Sequence, residues 1–337
     1  MKILVTFPQG VVHDTFFTDR SKKSLEELGE VIYNPYDRQY NKEELQEALA
    51  GVDIVMTGWG NIQLDEEVLQ KADQLKIVAH TGGTVADLVS DALYQKGVTV
   101  ISGNPTFAES VAESCVCYTM CALRRLEESM KIVRDGGWKK ADYYNEGIMD
   151  RTIGLVGFGA IAKKFAKMLT PFRVKIKVYS SYLTKEEAAT YGATVASLDE
   201  IFETCNVISI HSGLNPKTYH MVKEEHFKKM KDGALIVNTA RGAVLDEEAL
   251  IRELQSGRIL AALDVFEQEP LPLDSPLLTL KNAMLIPHMG GPTIDRREYV
   301  VFQLIEDIQS VLKGETDGVE GIITADYAKN MTQSVKK

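Results

Sequence analysis

Residues 152–162 read Thr152-Ile153-Gly154-Leu155-Val156-Gly157-Phe158-Gly159-Ala160-Ile161-Ala162, and the helical run Lys163–Leu169 follows. The first five have the composition of a buried strand, and the glycines after them permit a sharp turn into a helix. In a G-x-G-x-x-G/A loop at such a junction, the backbone comes close to a dinucleotide pyrophosphate. The third position serves close helix–strand packing, where alanine is tolerated, here Ala162. The helix N-terminus adds free N–H groups and the positive end of a dipole. Gly157, Gly159, Ala160 and Ile161 are therefore the expected phosphate contacts.

The same rhythm extends to both sides. Before the loop, Lys2–Phe7, Glu30–Tyr33, Asp53–Thr57, Ile77–Ala79 and Val98–Ile101 read as strands. Helical patterns fall between them at Ser21–Leu28, Lys42–Leu49, Asp65–Lys71 and Val85–Gln95. After it, strands are expected at Lys175–Tyr179, Val207–His211, Ala234–Asn238, Ala261–Asp264 and Met284–Pro287. Two helix starts carry capping boxes, Thr184-Lys-Glu-Glu187 and Ser197-Leu-Asp-Glu200. Strict alternation of strand and helix predicts parallel sheets covered on both faces, hence an α/β chain of two doubly wound domains. A long apolar helical stretch, Ala108 to Arg134, is expected to link them. A last helix spans about Asp295 to Leu312, and the polar tail Lys329–Lys337 is expected to fray.

A length of 337 residues suits two domains, each with its own core. Lys and Arg number 38 against 48 Asp and Glu, a net charge of −10, so phosphate backbones and anionic membrane surfaces are disfavoured partners. The N-terminal MKILVTF runs straight into a strand, and no segment reaches the length of an apolar membrane span, so a cytoplasmic location is expected. Cys115, Cys117 and Cys121 crowd one helical stretch, and Cys205 stands apart. Cys117 and Cys121 share a helix face, but their apolar neighbours point to core packing rather than a soft-metal site. No disulfide framework is indicated, and no metal-ligand spacing is present.

The glycine fingerprint calls for an Asp or Glu at the end of the next strand, to bond the adenosine ribose 2′-OH. That slot falls on Ser180. A serine still bonds a ribose hydroxyl and lacks the charge that repels a 2′-phosphate, and the nearest following cation is Lys185. NAD or NADP is left open.

Three further stretches carry chemistry. In Val237-Asn238-Thr239-Ala240-Arg241-Gly242 an arginine ends an apolar strand, where doubly wound domains put their ligands. Leu263-Asp264-Val265-Phe266-Glu267-Gln268-Glu269-Pro270 sets three carboxylates in a short span. Ile286-Pro287-His288-Met289-Gly290-Gly291 puts a histidine between a strand and two glycines. Read alone, these are a turn arginine, a solvated acidic turn and a structural histidine.

Together and in this order, the glycine loop, N-T-A-R-G, D-V-F-E-Q-E-P and P-H-M-G-G resemble the D-isomer-specific 2-hydroxyacid dehydrogenase family. The resemblance covers most of the chain and is strongest from about Asn104 to Gly291. It implies a discontinuous, flavodoxin-like substrate domain, residues 1–104 plus 290–337, and a Rossmann cofactor domain, residues 105–289, with a cleft between them. It implies a homodimer joined through the cofactor domain. It also implies hydride transfer between a nicotinamide cofactor and a 2-keto or D-2-hydroxy acid.

Residue by residue, His288 would be the acid, Glu269 its carboxylate partner, and Arg241 the clamp on the substrate carboxylate. Asp264 would bond the nicotinamide carboxamide, with Thr239, Ala240 and His211 on the cofactor side. Glu269 stands where formate dehydrogenases have glutamine, which argues against formate. A non-catalytic, dinucleotide-sensing partner-binding protein of the same fold is the alternative class. A second alternative is a phosphoglycerate dehydrogenase with an atypical substrate loop.

The chain departs from the family in that loop, His80-Thr81-Gly82-Gly83-Thr84-Val85-Ala86-Asp87. His80 takes the place of the basic residue, and Ala86 that of an aspartate. Near Thr57 and Trp59 the arginine of phosphoglycerate dehydrogenases is missing, and Gly213 replaces a proline after His211. Trp59, flanked by glycines, is expected to present its ring to the substrate, with His80, Thr81, Gly82 and Gly83 as further contacts. The expected substrate is a small unphosphorylated 2-keto acid with a small or apolar substituent.

Ser180 generates a prediction of its own. Ser180→Asp adds a ribose acceptor and repels a 2′-phosphate, so it should shift the ratio of kcat/KM for the reduced cofactors toward NADH. Steady-state kinetics with both cofactors decide it, and an unchanged ratio would show that Ser180 does not read the ribose.

Overall fold

The computed structural model describes residues 1–139, 145–329 and 331. The chain divides into two compact units, Met1–Ala108 with Pro292–Lys337, and Glu109–Gly291. The first boundary expected from the sequence lies four residues earlier. It is displaced because the helix Asn104–Leu123 begins in the first unit and continues into the second.

In the first unit, strands β1 (Lys2–Val5), β2 (Glu30–Tyr33), β3 (Ile54–Thr57), β4 (Ile77–His80) and β5 (Thr99–Ser102) form one sheet in the order β2-β1-β3-β4-β5. Every pairing is parallel. β3 and β4 are buried along their whole length, the mark of strands covered on both faces. One core holds Leu4, Val55, Val78 and Val100, and the opposite face packs Ile3, Ile54 and Ile77 under the helix Arg297–Lys313.

In the second unit, β6 (Thr152–Val156), β7 (Lys175–Tyr179), β8 (Ala193–Val195), β9 (Val207–Ile210), β10 (Leu235–Asn238), β11 (Leu260–Leu263) and β12 (Ala283–Leu285) form a parallel sheet. Its order is β12-β11-β10-β9-β6-β7-β8. Side chains alternate between the faces, Ile153 and Leu155 packing on Phe165 of the helix Ala160–Leu169, and Val156 on the opposite cluster with Phe202 and Phe227. The strand order reverses between β6 and β9, so β6 opens the switch point with the glycine loop at its carboxyl end.

Four local expectations are corrected. β8 was not expected, because three residues at a sheet edge carry too short an alternation. The long linking helix is two, Asn104–Leu123 and Leu126–Arg134, broken where Arg125 takes a left-handed φ of 49°. Helix is confined to Asp91–Gln95 within 85–95, where Ser90 caps Leu93 N–H, and 65–71 holds only a 3-10 turn, Val68–Lys71. Cys115 and Cys205 are buried, whereas Cys117 is exposed and Cys121 half-buried, because the face opposite Cys115 turns away from the core. Of the two expected capping boxes the N-cap half forms, with Thr184 and Ser197 accepting from Glu187 and Glu200 N–H. The expectation for the tail falls, Lys329 and Met331 aside, outside the described residues.

Candidate active site

The glycine loop takes its shape from one residue. Gly157 has φ +96°, and a Cβ there would lie 2.7 Å from Ser212 N and 2.8 Å from the His211 carbonyl carbon. Its N–H donates to the Tyr179 carbonyl at 2.8 Å, which turns the chain at the end of β6. The helix Ala160–Leu169 then starts at Gly159 with no side chain capping its first turn. Those N–H groups stay available, and Ala160 and Ile161 belong to that turn. The buried Ala162 and Phe165 seat the helix on the sheet. A pyrophosphate fits this arrangement on backbone chemistry alone. Ser180 directly follows β7, and its hydroxyl accepts from Tyr182 N–H at 3.3 Å.

His211 follows β9 with both ring nitrogens out of water and, among the described residues, without partners, its ring 5.5 Å from that of Phe165. Burial pushes the imidazole down to about 3, so it is neutral and its hydrogen-bonding capacity is unspent. Thr239, buried after β10, shares a 3.1 Å hydrogen bond with the Cys115 thiol, which burial pushes up to about 12.

The three polar stretches meet beyond the carboxyl ends of β10, β11 and β12. The buried Asn238 shapes the first, its amide donating to the Arg241 carbonyl at 3.0 Å and its carbonyl oxygen accepting from Ala240 N–H at 3.0 Å. Arg241 Nη1 donates to the Ala240 carbonyl at 2.6 Å. Burial lowers the affinity of this guanidinium for its proton, and the charge of Glu269 works against that. Gly242 then lies flat against the second stretch. A Cβ on it would fall 1.9 Å from the Phe266 carbonyl carbon, so only glycine permits this approach.

Glu269 and His288 form the sharpest contact of the site, with Glu269 Oε2 2.6 Å from His288 Nδ1. Glu269 Oε1 accepts from Phe266 N–H at 3.1 Å, so the carboxylate is held from its own loop. His288 is half exposed and has φ +52°. With Nδ1 committed to Glu269, Nε2 is the nitrogen left to address a ligand.

Sequence reasoning missed the work of several polar groups. Asp264 is buried, and its two oxygens accept from Met289 N–H at 2.7 Å and Gly290 N–H at 2.9 Å. Burial raises its pKa and these two hydrogen bonds oppose the rise. Beside any contact with a cofactor, it anchors the residues that carry His288. Glu267 contacts His220 Nε2 at 2.6 Å and accepts from Glu247 N–H at 3.1 Å. Glu247 Oε2 accepts in return from Glu267 N–H at 3.0 Å. The only signal for these roles was three carboxylates in eight residues, which does not say what each one holds.

In the first unit, the loop residues are placed differently from one another. His80 is buried at the end of β4, its Nδ1 2.9 Å from the Thr57 hydroxyl. Burial pushes it down to about 4, so it brings no positive charge to the loop at neutral pH. Thr81 is also buried, with its N–H and hydroxyl both donating to the Thr57 carbonyl. Gly82 is buried beside the His80 ring, and Gly83 is half-buried near Asn104. Trp59 is 47% exposed, and its ring packs edge-on against Phe16 and Phe107. It is at once a packed and a presented ring.

Residues 116–290 match the family model described as D-isomer specific 2-hydroxyacid dehydrogenase, NAD binding domain. A glyoxylate reductase of Thermofilum pendens is 35% identical over 291 residues, covering 85% of this chain and 86% of that one. A D-3-phosphoglycerate dehydrogenase of Methanocaldococcus jannaschii is 34% identical over 319 residues, or 94% of this chain. The chain spans only 58% of the length of that longer relative. Among solved structures, a protein of Thermus thermophilus superposes with a TM-score of 0.76 at 28% identity, covering 96% of this chain and all of that one.

Two predictions come from this geometry. Gly242→Ala forces the arginine loop away from Phe266, and kcat/KM should fall on the order of 10² by misplacement alone. Steady-state kinetics on the folded variant test it, and unchanged kinetics would show that the close approach is dispensable. The second concerns His80, whose folded pKa lies below its unfolded value. Its contribution is complete above about pH 6.5 and is lost as pH falls toward 4, because the unfolded chain binds a proton that the buried ring refuses. Acidification from pH 7 to 4.5 should cost on the order of 2–3 kcal/mol through this residue. Urea unfolding at several pH values should show a flatter profile for His80→Gln, and parallel profiles would contradict the assignment.

Proposed function

The chain belongs to the D-isomer specific 2-hydroxyacid dehydrogenase family, and we propose that it reduces a small, unphosphorylated 2-keto acid to the D-2-hydroxy acid. The observation that carries this reading is the 2.6 Å contact between Glu269 and His288 Nδ1, beside a buried arginine. A reduced nicotinamide dinucleotide, held by the glycine loop and the uncapped first turn of the helix Ala160–Leu169, would supply the hydride for the keto carbon. Arg241 grips the adjacent carboxylate with a planar pair of donors and polarises the ketone. His288, protonated on both nitrogens, gives its Nε2 proton to the carbonyl oxygen as negative charge develops there. Glu269 keeps the ring oriented and balances its charge before the transfer. The loss of that proton leaves a neutral imidazole, which solvent recharges.

The glycine loop and Ser180 support binding of either NAD or NADP, with weak discrimination. Thr57, Trp59 and the neutral His80 are themselves uncharged, and the Arg297 guanidinium 5.7 Å from the Trp59 ring is a single cation against the nearly two charges of a phosphate, which favours an unphosphorylated substrate. A homodimer is supported by an exposed apolar stripe in the second unit, Met120 with Leu126, Met130 and Val133, the last three at helical spacing. A cytoplasmic setting is supported by four free cysteines. Among the described residues no helix is long and apolar enough to cross a membrane.

Arg241→Ala and His288→Ala should each lower kcat/KM on the order of 10² or more, through lost positioning and lost proton donation. Oxidation of NADH or NADPH with glyoxylate, pyruvate, hydroxypyruvate and 3-phosphohydroxypyruvate measures this and the substrate class together. Near-full activity of either variant would overturn the assigned roles, and preference for the phosphorylated acid by about tenfold would overturn the substrate class.

A further inference from the structure

Cys117 and Cys121 share a face of the helix Asn104–Leu123 and bring their Sγ atoms to 4.0 Å. All four cysteines of the chain are free, and this pair alone faces solvent, Cys117 exposed and Cys121 half-buried. Cys115 and Cys205 are buried. Burial, and after it the charge of a Cys117 thiolate, push the Cys121 thiol above its ordinary value. The thiolate is the nucleophile in thiol–disulfide exchange, and access governs its rate. The exposed Cys117 is therefore placed to attack first, and Cys121 to resolve.

A bridge between them changes the helix that carries them. Residues four apart on a helix hold their Cβ atoms about 5–6 Å apart, against about 4 Å in a disulfide, and the sulfurs must close to about 2 Å. The end of this helix has room to give. It stops at Leu123, Arg125 turns left-handed at φ 49°, and Cys121 and Arg125 line a cavity with Leu260, Lys281 and Asn282. The inward side of the same helix touches the candidate site. Cys115 shares its 3.1 Å hydrogen bond with Thr239, and a Cβ on Gly290 would lie 3.9 Å from Ser114 Cβ. All of these residues belong to the second unit. A strained and exposed disulfide is readily reduced again, the behaviour of a reversible bridge rather than a permanent staple.

We propose that Cys117 and Cys121 form a dithiol site that exchanges with low-molecular-weight disulfides, and that the resulting bridge weakens cofactor binding by shifting the helix that holds Thr239. Cys117 Sγ attacks one sulfur of the disulfide and releases a first thiol. Cys121 Sγ then attacks the Cys117 sulfur of the mixed disulfide and releases a second. One S–S bond breaks in the oxidant and one forms in the protein. The two protons and two electrons lost by the pair leave on the two released thiols. Cys117 lies three residues from Met120 of the exposed apolar stripe, and the bridge forms within one helix and needs no second copy. The effect on the cofactor rests on the reading of the chain as a nicotinamide-dependent reductase, whereas the bridge itself does not.

Mass spectrometry tests the bridge without turnover, on the folded protein in whatever assembly it forms in solution. Treated with oxidised glutathione at about pH 8, close to the ordinary thiol pKa, the chain should lose two hydrogens from the peptide holding Cys117 and Cys121. Cys115 and Cys205 should stay unmodified, and dithiothreitol should reverse the change. Cys121→Ser should stop at one glutathione on Cys117, and Cys117→Ser should form no bridge. A lasting glutathione adduct on the unsubstituted chain, reaction at Cys205 instead, or no reaction of the folded protein would overturn the site. The second measurement is equilibrium binding of NADH and NADPH, followed by their own fluorescence. The bridged protein should bind them about tenfold more weakly than the reduced protein, and dithiothreitol should restore the affinity. Cys117→Ser should match the reduced protein before and after the oxidant. A bridge that forms with no change in affinity would overturn the coupling to Thr239. A bridge that forms in a chain binding neither cofactor would sink the reductase reading and keep the thiol site.

Discussion

The buried carboxylate of Asp264 holds the backbone N–H groups of Met289 and Gly290, and the geometry of the candidate site depends on that pair of hydrogen bonds. It ties the end of β11 to the residues after β12 and fixes the one beside them that matters, His288. At φ +52°, His288 sits in a left-handed conformation that costs a non-glycine residue about 1–2 kcal/mol. Such strain persists where the surroundings over-determine it. Asp264 clamps the backbone on one side, and Glu269 grips the ring on the other. A buried carboxylate without those two N–H donors would itself be costly, so each partner stabilises the other.

The rest of the site follows from parallel strands. Because β10, β11 and β12 run in the same direction in adjacent register, their carboxyl ends deliver three loops to one edge. Gly242 allows the first loop to lie against Phe266 of the second. The Glu267–His220 contact and the reciprocal Glu247–Glu267 bonds brace the second loop from behind. Arg241, Glu269 and His288 are thus placed by backbone contacts rather than by long flexible side chains. The glycine loop stands on β6 of the same sheet, so cofactor-binding and reacting groups share one frame.

Much of this was legible before any coordinates, for identifiable reasons. The glycine loop sits at a strand–helix junction, and its meaning depends on local backbone geometry, which sequence records well. Arg241, Glu269 and His288 each follow an apolar strand, so alternation located them at strand ends. Long-range polar partnerships were not legible. Asp264 reads as one of three carboxylates, and its partners lie 25 and 26 residues away. His80 stands in the sequence where the family's loop has a basic residue, and only the burial of all four β4 residues shows that its ring is neutral. β8 escaped because three residues carry no period, and the break at Arg125 because a left-handed arginine leaves no compositional mark.

Arg241 and His288 would hold a ketone in one fixed orientation, so that a bound reduced nicotinamide would give its hydride to one face of the carbon while His288 gives a proton to the oxygen. Orientation is recorded in the handedness of the product. The most direct measurement is chiral analysis of the 2-hydroxy acids formed from pyruvate, 2-oxobutyrate and oxaloacetate with NADH or NADPH. The account predicts the D-isomer alone from every acid consumed, and formation of the L-isomer, a racemate or no hydroxy acid at all would contradict it.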